Sequence, residues 1–261
     1  MEENRQIKVS LILTSYNCKE NLIRTLKGID AQDYNNIEII IVDGKSKDGT
    51  LQIIKNYATY GKYPCKWISE KDKGIYDALN KGYFMSSGDI IAICNDLLLL
   101  QNAVSLMVSA IIDNNMDGAH ADLIYATENE IKRVWRMREG CIQEGWMPGH
   151  PTLYLKREIY EKYGVYNINY KCSADYEFMV RILKDKKVHL AYVPKTIIRM
   201  YYGGTSTANA KSYWLSIKEA HNALVENKVK YAFFIDCIRT LRVIMQFVQA
   251  RTYNKKEKRK L

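Results

Sequence analysis

A chain of 261 residues, 47% of them hydrophobic, can bury a sizeable core and fits one large domain or a domain with an appendage, which excludes a disordered polypeptide. Its 39 Lys and Arg against 29 Asp and Glu leave a formal charge of +10, which suits anionic partners such as phosphates, nucleic acid or an acidic bilayer surface without choosing among them. No apolar run approaches the roughly 20 residues that span a bilayer. The six cysteines stand singly, with no CxxC spacing and no secretory start to the chain, so free thiols in a reducing cytoplasm are expected rather than a disulfide frame or zinc site.

The β-branched run Val9 to Thr14 reads as a buried strand, and the apolar spacing Leu22, Leu26, Ile29 predicts a helix over Cys18 to Ile29. Ser15-Tyr16-Asn17 then lies at the strand's carboxyl end. Ile37 to Val42 predicts a second strand ending in Asp43-Gly44-Lys45-Ser46-Lys47-Asp48-Gly49-Thr50, with Asp48 placed to cap a helix through Leu51, Ile54 and Tyr57. Lys66-Trp67-Ile68 is a weaker third strand. The stretch Lys71 to Gly82 reads as a charged loop running into a helix through Ala78, Leu79 and Tyr83. Gly88-Asp89 leads into a fourth strand, Ile90 to Cys94, which ends in the polar pair Asn95-Asp96 and four leucines, Leu97 to Leu100.

Strands alternating with helices argue for a parallel sheet covered on both faces. In such sheets ligands bind outside the carboxyl ends of the strands, where Thr14 to Asn17, Asp43 and Asn95-Asp96 converge. Each of these residues also has a plainer reading. Asp43 and Asp48 are ordinary turn formers, Tyr16 a packed aromatic, Asn17 a cap, and the Lys71 to Lys81 charges a solvated face. Neither a GxxxxGK loop nor a GxGxxG after the first strand is present, so Walker and dinucleotide chemistry find no support.

In the second half, Ala103 to Ile112 reads as a helix, Asp122 to Tyr125 as a short strand and Ile131 to Met137 as its hairpin partner. The loop Trp146-Met147-Pro148-Gly149-His150-Pro151 reads as a substrate wall, followed by a strand over Thr152 to Leu155 and a helix over Lys156 to Tyr163. Ser173 is placed to cap a helix whose first turn holds Asp175 and Glu177. There the helix dipole alone favours negative charge, and a carboxylate at a cleft mouth can also serve as general base. Val188 to Val193 and Thr196 to Met200 read as strands, and Tyr202 to Ser206 as a turn. Helical patterns over Lys211 to Asn227 and Val229 to Thr252 end in a basic tail, Lys255 to Lys260. The last helix sets Phe233, Phe234, Ile238, Leu241, Ile244, Met245 and Val248 beside Arg239, Arg242 and Arg251. That face fits either docking on the main domain or an anionic membrane surface.

The ordered blocks Thr14-Ser15-Tyr16-Asn17, DGKSKDGT from Asp43, SEKDKGIYDALNKG from Ser69, GD at Gly88, PGHPT at Pro148, SADYEF at Ser173 and GGTS at Gly203 strongly resemble family 2 glycosyltransferases of the GT-A fold. The likeness covers about residues 8 to 206 and is similar to the bacterial enzymes that build capsule, O-antigen and exopolysaccharide. It implies an α/β fold with one mixed, mostly parallel central sheet flanked by helices. Residues 1–206 would form the catalytic domain, divided into a nucleotide-sugar-binding half (1–100) and an acceptor-side half (101–206). A helical extension with a basic tail would occupy residues 207–261. It also implies an inverting transfer from a UDP, GDP or dTDP sugar to a hydroxyl of a glycan or lipid-linked acceptor, in the cytoplasm or at the inner face of the plasma membrane.

Carried over residue by residue, the resemblance sets Thr14, Tyr16 and Asn17 against the nucleoside and bonds Asp43 to the base. It lays Lys73, Gly74, Asp77 and Asn80 along the diphosphate and donor sugar, turns His150 toward the donor and acceptor junction, and makes Asp175 the catalytic base. The family pattern Asn-x-Asp-Asp implies Mg2+ or Mn2+, but an ungapped alignment puts Leu97 and Leu98 at both acidic positions, and leucine cannot ligate a hard cation. Three outcomes follow: a one-residue shift makes Asp96 the ligand beside Asn95, cations such as Lys73 and Arg199 replace the metal, or the chain binds nucleotide-sugars with impaired catalysis. Nucleic acid is not expected as a partner, because no aromatics are interleaved with the basic residues on a recognisable motif.

Overall fold

The computed structural model describes residues 6–201 and 210–257. The expected alternation is present in the first half: β1 (Val9–Ser15), α1 (Lys19–Asp30), β2 (Ile37–Asp43), α2 (Thr50–Tyr60), β3 (Cys65–Ser69), α3 (Ile75–Met85) and β4 (Ile90–Ile93). β1 pairs in parallel with β2 and β4, and β2 in parallel with β3. Every residue of β2 is buried, as a strand covered on both faces requires. α3 seats against β1 because Gly82 has no side chain, since a Cβ there would stand 2.4 Å from Ile12 Cγ2.

The second half supplies β5 (Leu97–Leu98), α4 (Ala103–Ile112), β6 (Gly118–Ala126), β7 (Ile131–Trp135), β8 (Tyr154–Lys156), α5 (Arg157–Tyr163), α6 (Ala174–Leu183) and β9 (Leu190–Tyr201). Two further helices, α7 (Ala210–Glu226) and α8 (Ala232–Glu257), follow. One nine-stranded sheet runs β3-β2-β1-β4-β8-β6-β9-β5, with β7 paired to β6. β8 lies antiparallel to both β4 and β6, and β9 parallel to β6, so β1 to β4, β6 and β9 all point one way. The sheet is therefore mixed and mostly parallel, with helices on both faces.

Two apolar layers hold it. One contains Leu11, Leu13, Ile29, Leu98 and Met107, and the other contains Ile12, Ile40, Leu155 and Phe178. The second layer also takes in Ala220, Ala223 and Leu224 of α7 and Ile235 of α8, so the carboxyl-terminal helices share the core with the residues before 206.

Several boundaries differ from expectation for identifiable reasons. β6 begins at Gly118, four residues earlier than the apolar pattern indicates, because the small residues Gly118 and Ala119 pair with Leu155 and Tyr154 of β8. The strands expected at Val188 to Val193 and Thr196 to Met200 are one strand, β9. Its register jumps from Val193 to Thr196, setting Pro194, which has no N–H to donate, outside the ladder. Thr152 lies in a short 3-10 turn, His150–Thr152, rather than in β8. Ser173 does not cap α6, because its hydroxyl turns to the Ser216 carbonyl on α7 at 3.1 Å. Trp146 is buried rather than forming a wall, with its indole N–H donating to the Met137 carbonyl at 2.9 Å. The turn expected at Tyr202 to Ser206 lies outside the described residues.

The leucines after Asp96 are structural. Leu97 and Leu98 form β5 and pair antiparallel with Arg199 and Ile198, and Leu98 is only 5% exposed. Gly28 of α1 comes so close that a Cβ on it would meet Leu97 Cδ1 at 3.0 Å. Leu98→Asp is expected to lower folding stability by about 3 kcal/mol or more, through lost apolar burial and a desolvated carboxylate. Urea denaturation measures this, and an unchanged midpoint would contradict the core assignment.

Candidate active site

The carboxyl ends of β1, β2 and β4 form one polar rim. Asn95, two residues past β4, ties that strand to β1: its Oδ1 accepts the Thr14 N–H at 2.7 Å and its Nδ2 donates to Thr14 Oγ1 at 3.0 Å. Asp43, fully buried at the end of β2, accepts from the Ser15 hydroxyl (3.1 Å), the Ser46 N–H (3.0 Å) and the Ser69 hydroxyl (2.6 Å). It organises three loops and presents itself beneath the rim rather than on it. Asn17, at φ 47°, accepts the Lys47 N–H through its side chain at 2.8 Å, pinning the two loops together. Asp48 joins the starts of two helices by accepting from Thr50 (3.0 Å) and Lys19 (3.1 Å), although the N-cap position of α2 itself is Gly49 and not Asp48. Tyr16 is 68% exposed, and its ring lies beside Gly44, where Asp72 also comes close: a Cβ on Gly44 would meet Tyr16 Cδ2 at 3.2 Å and Asp72 Oδ2 at 3.3 Å.

The charged segment from Glu70 is a built loop. Lys81 Nζ lies 2.7 Å from Glu70, 2.7 Å from Asp72 and 3.4 Å from Asp77. Burial works against its charge, but the Asp72 and Glu70 carboxylates outweigh it and raise its pKa. Gly74 takes φ 130°, a conformation that favours glycine, and opens α3. Asp77 accepts the Lys73 N–H at 3.0 Å, which holds its carboxyl below the usual range. The Lys73 side chain is exposed. Asn80 is a bracket, with its Nδ2 donating to the Tyr166 carbonyl at 2.8 Å and its Oδ1 accepting the Tyr166 N–H at 3.0 Å.

Across from this loop, α6 presents Asp175 in its first turn. Asp175 Oδ1 accepts the Tyr76 hydroxyl at 2.9 Å. Burial first, and then the Asp175 charge, push the Tyr76 phenol up, so it stays a donor. His150 Nε2 lies 2.7 Å from the Tyr166 hydroxyl. Burial lowers the His150 pKa despite the opposing influence of Asp175, leaving the ring neutral near pH 7. Glu177, two residues on, is consumed by Arg181 at 2.8 and 2.9 Å and is structural.

Asp96 directly follows Asn95. Burial raises its carboxyl from 3.8 to about 6, and no hydrogen bond reaches that carboxylate among the described residues. Burial raises the Tyr125 hydroxyl, Arg133 opposes that rise, and Asp96 and Asp175 add to it, so both carboxylates lie within electrostatic reach of this phenol. Among the described residues no group of three His, Cys, Asp or Glu stands ready for a metal. The chemistry of Asp96 nevertheless fits a hard cation: an unpartnered carboxylate oxygen, with the remaining positions open to phosphate oxygens. Arg199 donates to the Thr127 carbonyl at 2.7 Å and lies opposite Leu97 in the sheet.

Sequence reasoning did not assign roles to Tyr76, Tyr125, Tyr166 or Glu219. Glu219 of α7 accepts the N–H groups of Lys171 (2.8 Å), Cys172 (2.8 Å) and Ser173 (3.0 Å), fixing the turn that presents Asp175. Tyr76 carries a local signal, two residues after the helix-opening Gly74. The others meet the cleft only through contacts distant in sequence.

The sequence model described as Glycosyl transferase family 2 matches residues 10–180, and the chain belongs to that family. A glycosyltransferase of PGL/p-HBAD biosynthesis from Mycobacterium bovis is 25% identical over 209 residues, which cover 76% of this chain and 78% of that one. The putative glycosyltransferase EpsE of Bacillus subtilis is 40% identical over 86 residues, covering 33% and 31% of the two chains. Among solved structures, the 1–349 fragment of Staphylococcus aureus TarS with UDP-GlcNAc superposes with a TM-score of 0.68 at 14% identity, covering 94% of this chain and 74% of that one. A Pyrobaculum calidifontis mannosyltransferase with GDP-Man and Mn2+ gives 0.62 at 15% identity, covering 92% and 74%. The protein is thus a glycosyltransferase of GT-A architecture, and its structural neighbours bind nucleotide-sugars.

Two outcomes follow from this geometry. Because burial raises the Asp96 pKa, the native state holds a proton that the unfolded chain releases. That contribution to stability is present below about pH 4 and is lost as pH rises toward 6. Denaturation of Asp96→Asn and of the native chain between pH 4 and 7 is expected to show the variant gaining relative stability as pH rises, and a pH-independent difference would refute it. Glu219→Ala, which strips three N–H groups of their acceptor, is expected to cost about 1–3 kcal/mol in a urea melt.

Proposed function

We propose that the protein transfers a sugar with inversion from a UDP, GDP or dTDP sugar to a hydroxyl of a glycan or lipid-linked acceptor, in assembly of a surface polysaccharide such as capsule or O-antigen. The observation that carries this reading is the Asp175 carboxylate at the start of α6, steadied by the Tyr76 hydroxyl at 2.9 Å and within electrostatic reach of the same Tyr125 phenol as Asp96.

The nucleotide enters along the rim of β1 and β2, where the exposed Tyr16 ring offers a face for the base and Asp43 shapes the floor beneath it. Thr14 and Asn17 hold the surrounding loops, and Gly74, Lys73 and Asp77 line the diphosphate, with Gly74 leaving room for the phosphates to approach the backbone. Asn80 keeps Tyr166, and through it His150, at the donor and acceptor junction. A neutral His150 can donate a hydrogen bond there without adding charge.

Asp175 removes the proton of the acceptor hydroxyl as that oxygen attacks the anomeric carbon. The bond from that carbon to the diphosphate breaks on the opposite face, so one displacement inverts the centre without a covalent enzyme intermediate. Tyr76 donates to the Asp175 oxygen it contacts and thereby leaves the other oxygen for the acceptor. A divalent cation held through Asp96 would supply positive charge for the departing diphosphate. Asp96, and not Leu97 or Leu98, is the position for that ligand, because Leu98 is committed to the core.

Asp175→Asn is expected to reduce turnover by a factor of about 10³ or more while leaving donor affinity within about twofold, as read from single-turnover transfer and calorimetric donor titration. Equal loss of both would make Asp175 a structural residue. Asp96→Ala is expected to abolish the stimulation by Mn2+ while the fold, by circular dichroism, is retained. Persistence of full Mn2+ stimulation would move the ligand elsewhere.

A further inference from the structure

The helix α8 is mounted with its apolar side away from the protein. It packs on β7 and on the 3-10 turn Ile142–Glu144, yet much of the attachment is polar. Gln246 Oε1 accepts the Arg133 guanidinium at 2.5 Å, Arg242 donates to the Glu144 carbonyl at 2.9 Å, and Arg239 stacks over the Tyr176 ring at 4.6 Å. Ile235 and Ala250 are its buried apolar residues.

On the opposite side Phe234, Ile238, Leu241, Ile244, Met245 and Val248 are all exposed, Phe234 by 64% and Leu241 by 63%. Their spacings of three and four residues keep them on one face, and Phe234 to Val248 spans roughly 21 Å at about 1.5 Å per residue. No charged residue interrupts this face. The neighbouring α7 exposes Tyr213 and Trp214 as well. A continuous apolar face of this size on a water-soluble domain marks an interaction surface.

The charge pattern selects the partner. From Val229 to Leu261 the sequence carries nine Lys and Arg against two acidic residues. Of those two, Asp236 is already held by His221 at 2.7 Å and Arg239 at 3.1 Å. Exposed Lys230 precedes the apolar stripe and exposed Arg251 follows it, leading into the basic tail. A second copy on this face would bring two strongly positive segments together. A surface that is apolar within and anionic at its boundary complements both features.

We propose that α8 is an interfacial helix that docks the enzyme on an anionic phospholipid bilayer, with its apolar stripe in the headgroup and acyl boundary and its basic residues on the lipid phosphates. The stripe runs along the length of α8, so the attachment is parallel to the surface, and no described helix is long and apolar enough to cross a membrane. The docking stands independently of the transfer chemistry above. It also places the membrane beside β7, the hairpin partner of β6, near whose end Tyr125 lies.

The test is co-sedimentation of the full chain with phosphatidylcholine vesicles, with and without phosphatidylglycerol. Binding is expected only with the anionic lipid. The double variant Leu241→Glu and Ile244→Glu is expected to bind on the order of tenfold more weakly or worse, with an unchanged melting temperature, since both side chains are solvent-exposed. Converting Lys255, Lys256 and Lys258 to Gln is a second lever that leaves the stripe intact, and is expected to cost about fivefold per residue. Absence of binding to anionic vesicles, equal binding to neutral ones, or a dimer in sedimentation velocity that the double variant dissolves would overturn the proposal.

Discussion

The pair of hydrogen bonds between Asn95 and Thr14 is the constraint on which the cleft depends. β4 and β1 are parallel neighbours, and both run out of ladder partners at this edge. An unclosed edge would leave a buried N–H without an acceptor and the chain beyond it free to wander. The Asn95 amide satisfies both Thr14 groups at once, and its own carbonyl accepts from Asn21 at 3.0 Å, tying α1 to the same point. The next residue is Asp96, and the two after it are delivered into β5. The charged position and the leucines are consecutive consequences of one turn.

The opposite wall is built on the same logic from different parts. Asp175 sits on the first turn of a helix, where free N–H groups already favour negative charge. The turn before it is held from α7 by Glu219, while Tyr76 from α3 holds the carboxylate itself. Three segments far apart in sequence therefore converge on one carboxylate. The two cleft carboxylates live in contrasting settings. Asp175 has a phenol donor, whereas Asp96 has no described donor and is pushed up to about 6, so a cation or an added donor would benefit Asp96 most.

The parallel half of the fold was legible because its signals are local. Continuous β-branched runs, Asp and Gly at the strand ends, and helical spacing after each are all written within a dozen residues, and β1 to β4 and α1 to α3 follow them closely. Asp96 and Asp175 were legible as polar residues at element ends. The rest required tertiary context. Leu97 and Leu98 look like a damaged metal motif when aligned without a gap, yet they answer to Gly28 above them and to Ile198 beside them. Gly118 and Ala119 carry no strand signal, because small residues earn none until Leu155 and Tyr154 lie opposite. Glu219 sits in an ordinary amphipathic pattern, and nothing near it indicates that it completes a turn some 46 to 48 residues earlier.

The last helix shows why an apolar pattern does not by itself say which way a helix faces. Hydrophobic spacing normally turns a helix inward, because burying apolar area is the main gain available. In α8 the inward positions are instead held by specific polar contacts to Arg133 and Glu144 and by stacking of Arg239 on Tyr176. Such contacts fix orientation but add modest net stability, since each replaces bonds to water. An outward apolar stripe then remains as uncompensated surface in water. It is a tolerable arrangement for a domain whose main core is already complete in the two layers about the sheet. It becomes favourable once a lipid boundary removes that stripe from water and leaves the basic flanks hydrated.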